Sequence, residues 1–89
     1  MRAIITVIGK DMVGILAKVS TICAVHQVNV LEVTQSILQD MFAMIMMVDI
    51  EKCDTAFPLL ADELSELGKT MGLSIHTMHE DIFNSMHQI

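Results

Sequence analysis

Three stretches of the chain have the hydrophobic pattern of β-strands. Residues 3–8 form an apolar, β-branched run, which predicts a strand that is buried on both faces. Residues 29–38 alternate between apolar and polar after Leu31. We therefore expect Leu31, Val33 and Ile37 to lie on one face of a second strand.

The third stretch, residues 41–50, is apolar on both sides. One face would carry Phe42, Met44, Met46 and Val48. The other face would carry Met41, Ala43, Ile45 and Met47. A strand that is apolar on both faces belongs in the interior of a sheet, so we predict a central position for it.

A first helix is predicted after Gly14, because apolar residues recur there at helical spacing. Its stripe consists of Ile15, Leu16, Val19, Ile22, Cys23 and His26. Asp11 is a candidate cap for this helix, because its carboxylate can accept a hydrogen bond from a free N–H of the first turn.

A second helix is predicted to begin at Asp54 and Thr55 and to end at Gly72. Pro58 is compatible with its first turn, where a backbone N–H is not required. Its buried stripe would consist of Phe57, Leu60, Leu64, Leu67 and Met71.

A fourth strand is predicted over residues 73–80, followed by a short terminal helix that Asp81 could cap. One side of this terminal helix would carry Ile82, Phe83, Met86 and Ile89. The resulting βαββαβ order predicts an α+β, ferredoxin-like sandwich, a four-stranded antiparallel sheet with two helices on one face. We expect one domain at 1–80 and a C-terminal helical extension at 81–89.

The chain is more apolar than its size requires. Of its 89 residues, 53% are apolar and nine are Met. We therefore expect a homodimer. The sheet face that the two helices leave uncovered should also be buried, either by a second dimer, which would give a tetramer, or by the terminal helix folding under the sheet.

Charge and composition argue against several classes of protein. The net charge is −6, the five basic residues are scattered, and Trp and Tyr are absent, so direct nucleic-acid binding is not expected. No apolar run approaches the roughly 20 residues of a membrane-spanning helix. The first residues do not resemble a secretory leader, and the two Cys form no CxxC motif, which predicts a cytoplasmic protein.

No catalytic motif is evident, and we expect neither a cofactor nor a metal. Cys23 falls on the buried stripe of the first helix, where a thiol acts as apolar filler. His79, Glu80 and His87 could meet if the tail folded back, which leaves a metal-dependent enzyme as the third hypothesis.

The turn from the first strand into the first helix, Gly9 to Gly14, is the most informative segment. Free N–H groups at a helix start carry partial positive charge and suit a small carboxylate, and glycines let the backbone approach a ligand. Asp11 could then accept hydrogen bonds from an amine. Alternatively, the glycines only permit a tight turn and Asp11 only caps the helix.

The segment GKDMVGILAKVSTICAVHQVNV resembles the signature of ACT domains, and the resemblance extends over essentially the whole chain. The tail HEDIFNSMHQI is similar to that of the small free-standing ACT proteins of bacteria and archaea. The glycine-cleavage regulatory protein is a more distant likeness. ACT domains typically bind amino acids at domain interfaces and regulate an enzyme or a transcription factor.

The resemblance implies a ligand site shared by two subunits whose sheets join side by side. Asp11 and Gly14, with the backbone near Met12 and Val13, would come from one subunit, and Asn29 from the other. The chain departs from the pattern at Gly9, where serine-binding members often have His. It also has Val13 where Pro often precedes the helix-opening Gly.

Two functions are consistent with these features. The first is a non-enzymatic regulatory protein that binds an amino acid or similar effector at a homodimer interface. The alternative is a protein–protein adaptor without a ligand, whose working surface is the Met-rich sheet face.

Overall fold

The computed structural model describes residues 1–10 and 13–86, which form one four-stranded sheet and three helices. The elements are β1 (Arg2–Lys10), α1 (Ile15–Val25), β2 (Asn29–Leu38), β3 (Met41–Asp49), α2 (Phe57–Met71), β4 (Leu73–His79) and α3 (Glu80–Met86). The strand order is β2-β3-β1-β4, and every neighbouring pair is antiparallel. The predicted ferredoxin-like fold with an additional C-terminal helix is confirmed.

The core lies between the sheet and the two longer helices. From β3 it takes Phe42, Met44, Met46 and Val48, as the sequence predicts. From the helices it takes Ile15, Val19, Cys23, Leu60 and Leu64. The helices thus cover one face of the sheet, which we call the helix face, and the opposite face is called the open face.

β1 is longer than predicted, because Gly9 and Lys10 belong to the strand rather than to the following loop. Gly9 pairs with Phe42 on one side and Leu73 on the other. A Cβ atom at Gly9 would lie 2.6 Å from Cδ2 of Leu73 and 3.2 Å from the carbonyl oxygen of Gly72. Close packing against the start of β4 therefore favours glycine here, since any larger residue would displace the side chain of Leu73.

The predicted face of β2 is wrong at Leu31. The pairing of β2 with β3 shifts between Val30 and Glu32, so Leu31 is an extra residue in a β-bulge and remains 46% exposed. Val30 and Val33, rather than Leu31, pack against the core. A bulge breaks the period of two, which is why alternation alone assigns the wrong residue.

α2 begins at Phe57, later than the predicted Asp54 and Thr55, with Ala56 at the N-cap position. The carboxylate of Asp54 is instead bonded to His26. Pro58 lies in the first turn, and Gly72 ends the helix in the left-handed conformation at φ 72°, both as predicted.

α3 begins at Glu80, one residue before the expected boundary, and packs against β1 and β4. It lies on the open face, where Ile4 is only 1% exposed, so the extension does fold under the sheet. Phe83 is half-buried whereas Ile82 and Met86 are exposed, and Ile89 lies outside the described residues. Within the described residues, no helix is long and apolar enough to cross a membrane.

Candidate functional site

The turn into α1 depends on the backbone of Gly14. This residue occupies the N-cap position with φ 89° and ψ 7°, and its carbonyl oxygen accepts a hydrogen bond from Lys18 N at 3.0 Å. A Cβ atom at Gly14 would meet no atom of the described residues within 4 Å. The left-handed conformation, and not a lack of space, is therefore what favours glycine at this position.

The first turn of α1 has the electrostatic character of an anion site. Among the residues that the structure describes, no side chain caps it, and no residue of the first turn of the helix is acidic. The first N–H groups of a helix lack intrahelical acceptors and carry the positive end of the helix dipole. A ligand carboxylate placed here would supply the missing acceptor.

A pocket of about 570 Å³ adjoins this turn. It is lined by Gly14, Ile15, Leu16, Ala17, Ser20, Gln35, Ile37 and Phe42. The pocket is thus formed by the start of α1, the far half of β2 and the start of β3. Its volume lies in the range of small-molecule sites.

Gln35 is a lining residue that the sequence analysis did not identify. It pairs with Met44, whose side chain is in the core, so Gln35 lies on the helix face of β2. Val33 and Ile37 lie on the same face. A polar residue between two apolar ones on that face is the signal that could have identified it, since its amide can hydrogen-bond a ligand.

Asn29 lies at the other end of the sheet from Gly14. It pairs with Asp49, which pairs with Arg2 at the start of β1, whereas α1 follows the opposite end of that strand. The eight steps between the nine residues from Arg2 to Lys10 span about 26 Å at 3.3 Å per residue. One chain therefore does not bring Gly14 and Asn29 together.

Asn29 lines a smaller pocket of about 220 Å³ together with Gln27, Asp49, Glu51 and Lys52. The backbone N–H of Glu51 donates to Oδ1 of Asp49 at 2.9 Å. The exposed amide of Asn29 is thus surrounded by two carboxylates and one ammonium group, none of which the sequence analysis associated with it.

The remaining predicted site residues lie in the loop between β1 and α1. Asp11 and Met12 are outside the described residues. Val13 is 98% exposed, so its side chain faces solvent. A side chain at Gly9, where the family resemblance leads one to expect His in serine-binding members, would have to displace the side chain of Leu73.

Two members of the hypothetical metal cluster already have partners. The ring of His79 stacks on Phe57 with centroids 4.1 Å apart, on the helix side of the sheet. The carboxylate of Glu80 accepts from Nε and Nη2 of Arg2 at 2.8 and 2.5 Å. His87 lies outside the described residues. Among residues 1–10 and 13–86, no group of three or more His, Cys, Asp or Glu side chains is placed to hold a metal ion.

Comparison with known proteins identifies the family. A family model for the ACT domain matches residues 2–78. A UPF0237 protein from Clostridium acetobutylicum is 48% identical over 89 residues, covering all of both chains. The ACT domain protein from Streptococcus pneumoniae is 35% identical, with a TM-score of 0.80 and 93% of each chain covered.

A structure assigned as a glycine cleavage system transcriptional repressor shares the fold at 18% identity. Its TM-score is 0.69, and the match covers 85% of this chain and 43% of that one. The family model, the full-length relative and the fold agree, and the chain belongs to the ACT domain family.

Proposed function

We propose that this chain is a regulatory protein without enzymatic activity, which binds an amino acid between two copies of itself. One observation carries the proposal. The open first turn of α1 and Asn29 lie at opposite ends of a strand that forms the edge of the sheet. Two such edges that pair antiparallel bring the Asn29 end of one copy to the Gly14 end of the other.

The chemistry of the two ends suits an amino acid. The N–H groups of the first turn of α1 can bind the α-carboxylate, as helix N-termini bind anions. The amide of Asn29 and the carboxylate of Asp49 lie on the other side of the shared site. Their oxygens can accept hydrogen bonds from the α-ammonium group. Gln35 would contact the ligand side chain from the wall of the larger pocket.

The regulatory mechanism is thermodynamic linkage. A ligand that contacts both subunits binds the dimer and not the monomer, so it stabilises the dimer in proportion to RT ln(1 + [L]/Kd). At a ligand concentration 100 times Kd this amounts to about 2.7 kcal/mol. Such a change is large enough to favour one assembly over another and hence to act on a target protein.

A thermal-shift screen with the twenty amino acids tests this proposal. We expect one or a few of them to raise the melting temperature and Asn29→Ala to abolish the effect. Asp11→Ala should abolish it as well, because the sequence analysis assigns its carboxylate to the ligand's ammonium group. Asp62→Ala and Asn84→Ala make the same two changes at exposed positions elsewhere, and should leave the effect intact. A shift that survives both site substitutions would show that the ligand binds elsewhere.

An adaptor that binds proteins and no effector is the second candidate. It is favoured by the apolar side chains that remain exposed on the open face, which include Ile8 at 49% and Ile45 at 42%. In this case none of the amino acids would change the melting temperature, and a different protein would co-purify with the chain. Substitution of Ile45 by Lys would then release that protein.

A further inference from the structure

The open face is covered over only half of its length. Ile4 and Ile8 lie on the same side of β1, yet Ile4 is 1% exposed and Ile8 is 49% exposed. Thr6 between them is half-buried. α3 therefore covers the end of the face near the start of β1 and leaves the end near the β2–β3 hairpin uncovered.

A recess of about 450 Å³ marks the boundary between the two halves. Phe83 and Met86 of α3 form one wall, and Ile8, Ala43 and Ile45 form the floor. Beyond it, Met41 and Leu38 pair with each other at the hairpin and are 49% and 76% exposed. The uncovered half is thus apolar on β1 and β3, and the exposed Ser74 and His76 of β4 border it on one side.

α3 itself projects apolar side chains from the face. Ile82 and Met86 are one helical turn apart, and they are 53% and 65% exposed. The same face therefore carries an apolar ridge on one half and an apolar recess on the other.

We infer that two copies of this chain pack open face to open face, with α3 of each copy occupying the recess of the other. A two-fold axis across the strands reverses the strand direction and places ridge over recess twice, which is the self-complementary arrangement of an isologous interface. The recess is then completed only by the second copy, whose Met86 and Ile82 supply its missing wall.

The distribution of charge on this face favours a second copy over a charged partner. The middle of the face holds apolar side chains together with Thr6 and His76, and the Asp, Glu, Lys and Arg side chains lie at its ends and at the β2 edge. Lys10 is at the uncovered end, whereas the first turn of α3 carries Glu80 and Asp81. Reversal of the strand direction brings Lys10 of each copy to the start of α3 of the other, where Glu80 is paired with Arg2 and Asp81 is a second carboxylate.

The face is also large enough for a stable interface. Four strands 4.8 Å apart and nine residues long cover roughly 600 Å² before the relief of side chains is counted. Half of this footprint is uncovered sheet and half is the outer side of α3, and with the relief of side chains it approaches the roughly 800 Å² per partner of a standard interface. The inference does not depend on effector binding, because the free hydrogen-bonding edge of β2 and the start of α1 lie outside this interface.

Sedimentation velocity of Ile45→Lys tests the interface. Ile45 is 42% exposed, so a Lys here is compatible with folding, and we expect the assembly mass to be halved. If the β2 edges also pair, the substitution should convert a tetramer into a dimer. Any thermal shift caused by an amino acid should be retained. Met86→Lys, at a more exposed position on α3, should have the same effect. The control is Leu59→Lys, 61% exposed on α2, which should leave the mass unchanged.

Cross-linking identifies the contact itself. Two variants are made, one with Met86→Cys and one with Ile8→Cys, and Cys53 is replaced by Ser in both. The two proteins are mixed and then treated with oxidised glutathione. We expect a disulfide-linked pair of the two different variants, and none when Leu59→Cys replaces Ile8→Cys. Equal cross-linking with both, an unchanged mass for Ile45→Lys, or native mass spectra with one small apolar molecule per chain in the recess would overturn the inference.

Discussion

Nε2 of His26, at the end of α1, lies 2.5 Å from Oε2 of Glu63 on α2. Nδ1 of the same ring lies 2.8 Å from Oδ1 of Asp54, in the segment between β3 and α2. An imidazole that is flanked by carboxylates on both nitrogens donates to both only when it is doubly protonated. When it is protonated, His26 thus joins the end of α1 to α2 and to the segment before it by a single cationic group.

The stability of the protein should depend on pH through His26. Hydrogen bonds to Asp54 and then Glu63 raise the pKa of His26 above its usual value of 6.5. A raised pKa in the folded state means that this contribution is complete below pH 6.5 and is lost as the pH rises through the folded-state pKa. We expect the free energy of unfolding to fall over that interval in the wild type and to vary less with pH in His26→Gln.

Urea melts of both proteins at half-unit steps from pH 5.5 to 8.5 measure this dependence. His76→Gln, which replaces an exposed histidine on the open face, serves as the control and should keep the wild-type pH profile. A His26→Gln profile parallel to that of the wild type would show that the ion pairs contribute nothing.

The packing of α2 against β4 should be sensitive to Gly68. A Cβ atom there would lie 2.7 Å from the carbonyl oxygen of Leu73 and 3.0 Å from Cγ1 of Ile75. Overpacking of this kind costs about 1–3 kcal/mol, whereas Ala gains roughly 1 kcal/mol over Gly within a helix. We expect Gly68→Ala to lower the free energy of unfolding, since the backbone of β4 cannot move away freely.

Chemical denaturation provides the measurement for Gly68→Ala. Asp62→Ala, on the exposed side of the same helix, should be within about 0.5 kcal/mol of the wild type. If Gly68→Ala were as stable as the wild type or more so, the helix would have shifted to make room, and the contact would not determine the α2–β4 distance.

The fold could be predicted from the sequence because its signals are local. The stripe of α2, from Phe57 to Met71, and the two-sided apolar pattern of β3 each identify their element without reference to the rest. The stop of α2 at Gly72 follows equally from the conformation that only glycine readily adopts. Errors arose where a distant residue decides, as at Gly9, whose place in β1 depends on Leu73 of β4.

The candidate site could be predicted only in part. The role of Gly14 follows from its place before an apolar helix. To identify Gln35 as a lining residue, one must know which face of β2 the helices cover. The bulge at Leu31 hides that assignment in the sequence. The grouping of Asn29 with Asp49 results from pairing between β2 and β3, which no periodicity reveals.

Cys23 should be unreactive in the folded protein. Its side chain is fully buried, and burial, together with the nearby Cys53, raises the pKa of the Cys23 thiol to about 11. A rise from 9.0 lowers the thiolate fraction at pH 8 about 100-fold, and the thiolate is the nucleophile. In Cys53→Ser, iodoacetamide should label Cys23 in 6 M guanidinium at least about 100 times faster than in buffer.

Mass spectrometry of samples taken during the reaction with iodoacetamide shows how many labels each chain carries. The matched variant is Cys23→Ser, in which the half-buried Cys53 should be labelled without unfolding. Labelling of Cys23 at comparable rates in buffer and denaturant would mean that α1 opens locally and often.

Gly14 contributes both to the stability of the protein and to its proposed site. Substitution by Ala and by Asn separates the effect of the backbone conformation from that of side-chain size. Both Ala and Asn fit in the open space beyond its Cα, but the left-handed conformation costs Ala about 1–2 kcal/mol, whereas Asn adopts it readily. We expect Gly14→Ala to lower the free energy of unfolding by about 1 kcal/mol and Gly14→Asn by less.

If the first turn of α1 binds the effector carboxylate, Gly14→Ala should also reduce the thermal shift that the amino acid causes. The reason is that a reoriented turn no longer points its N–H groups at the ligand. Equal stability of the two variants would show that the turn relaxes into another conformation, and an undiminished shift in Gly14→Ala would place the carboxylate elsewhere.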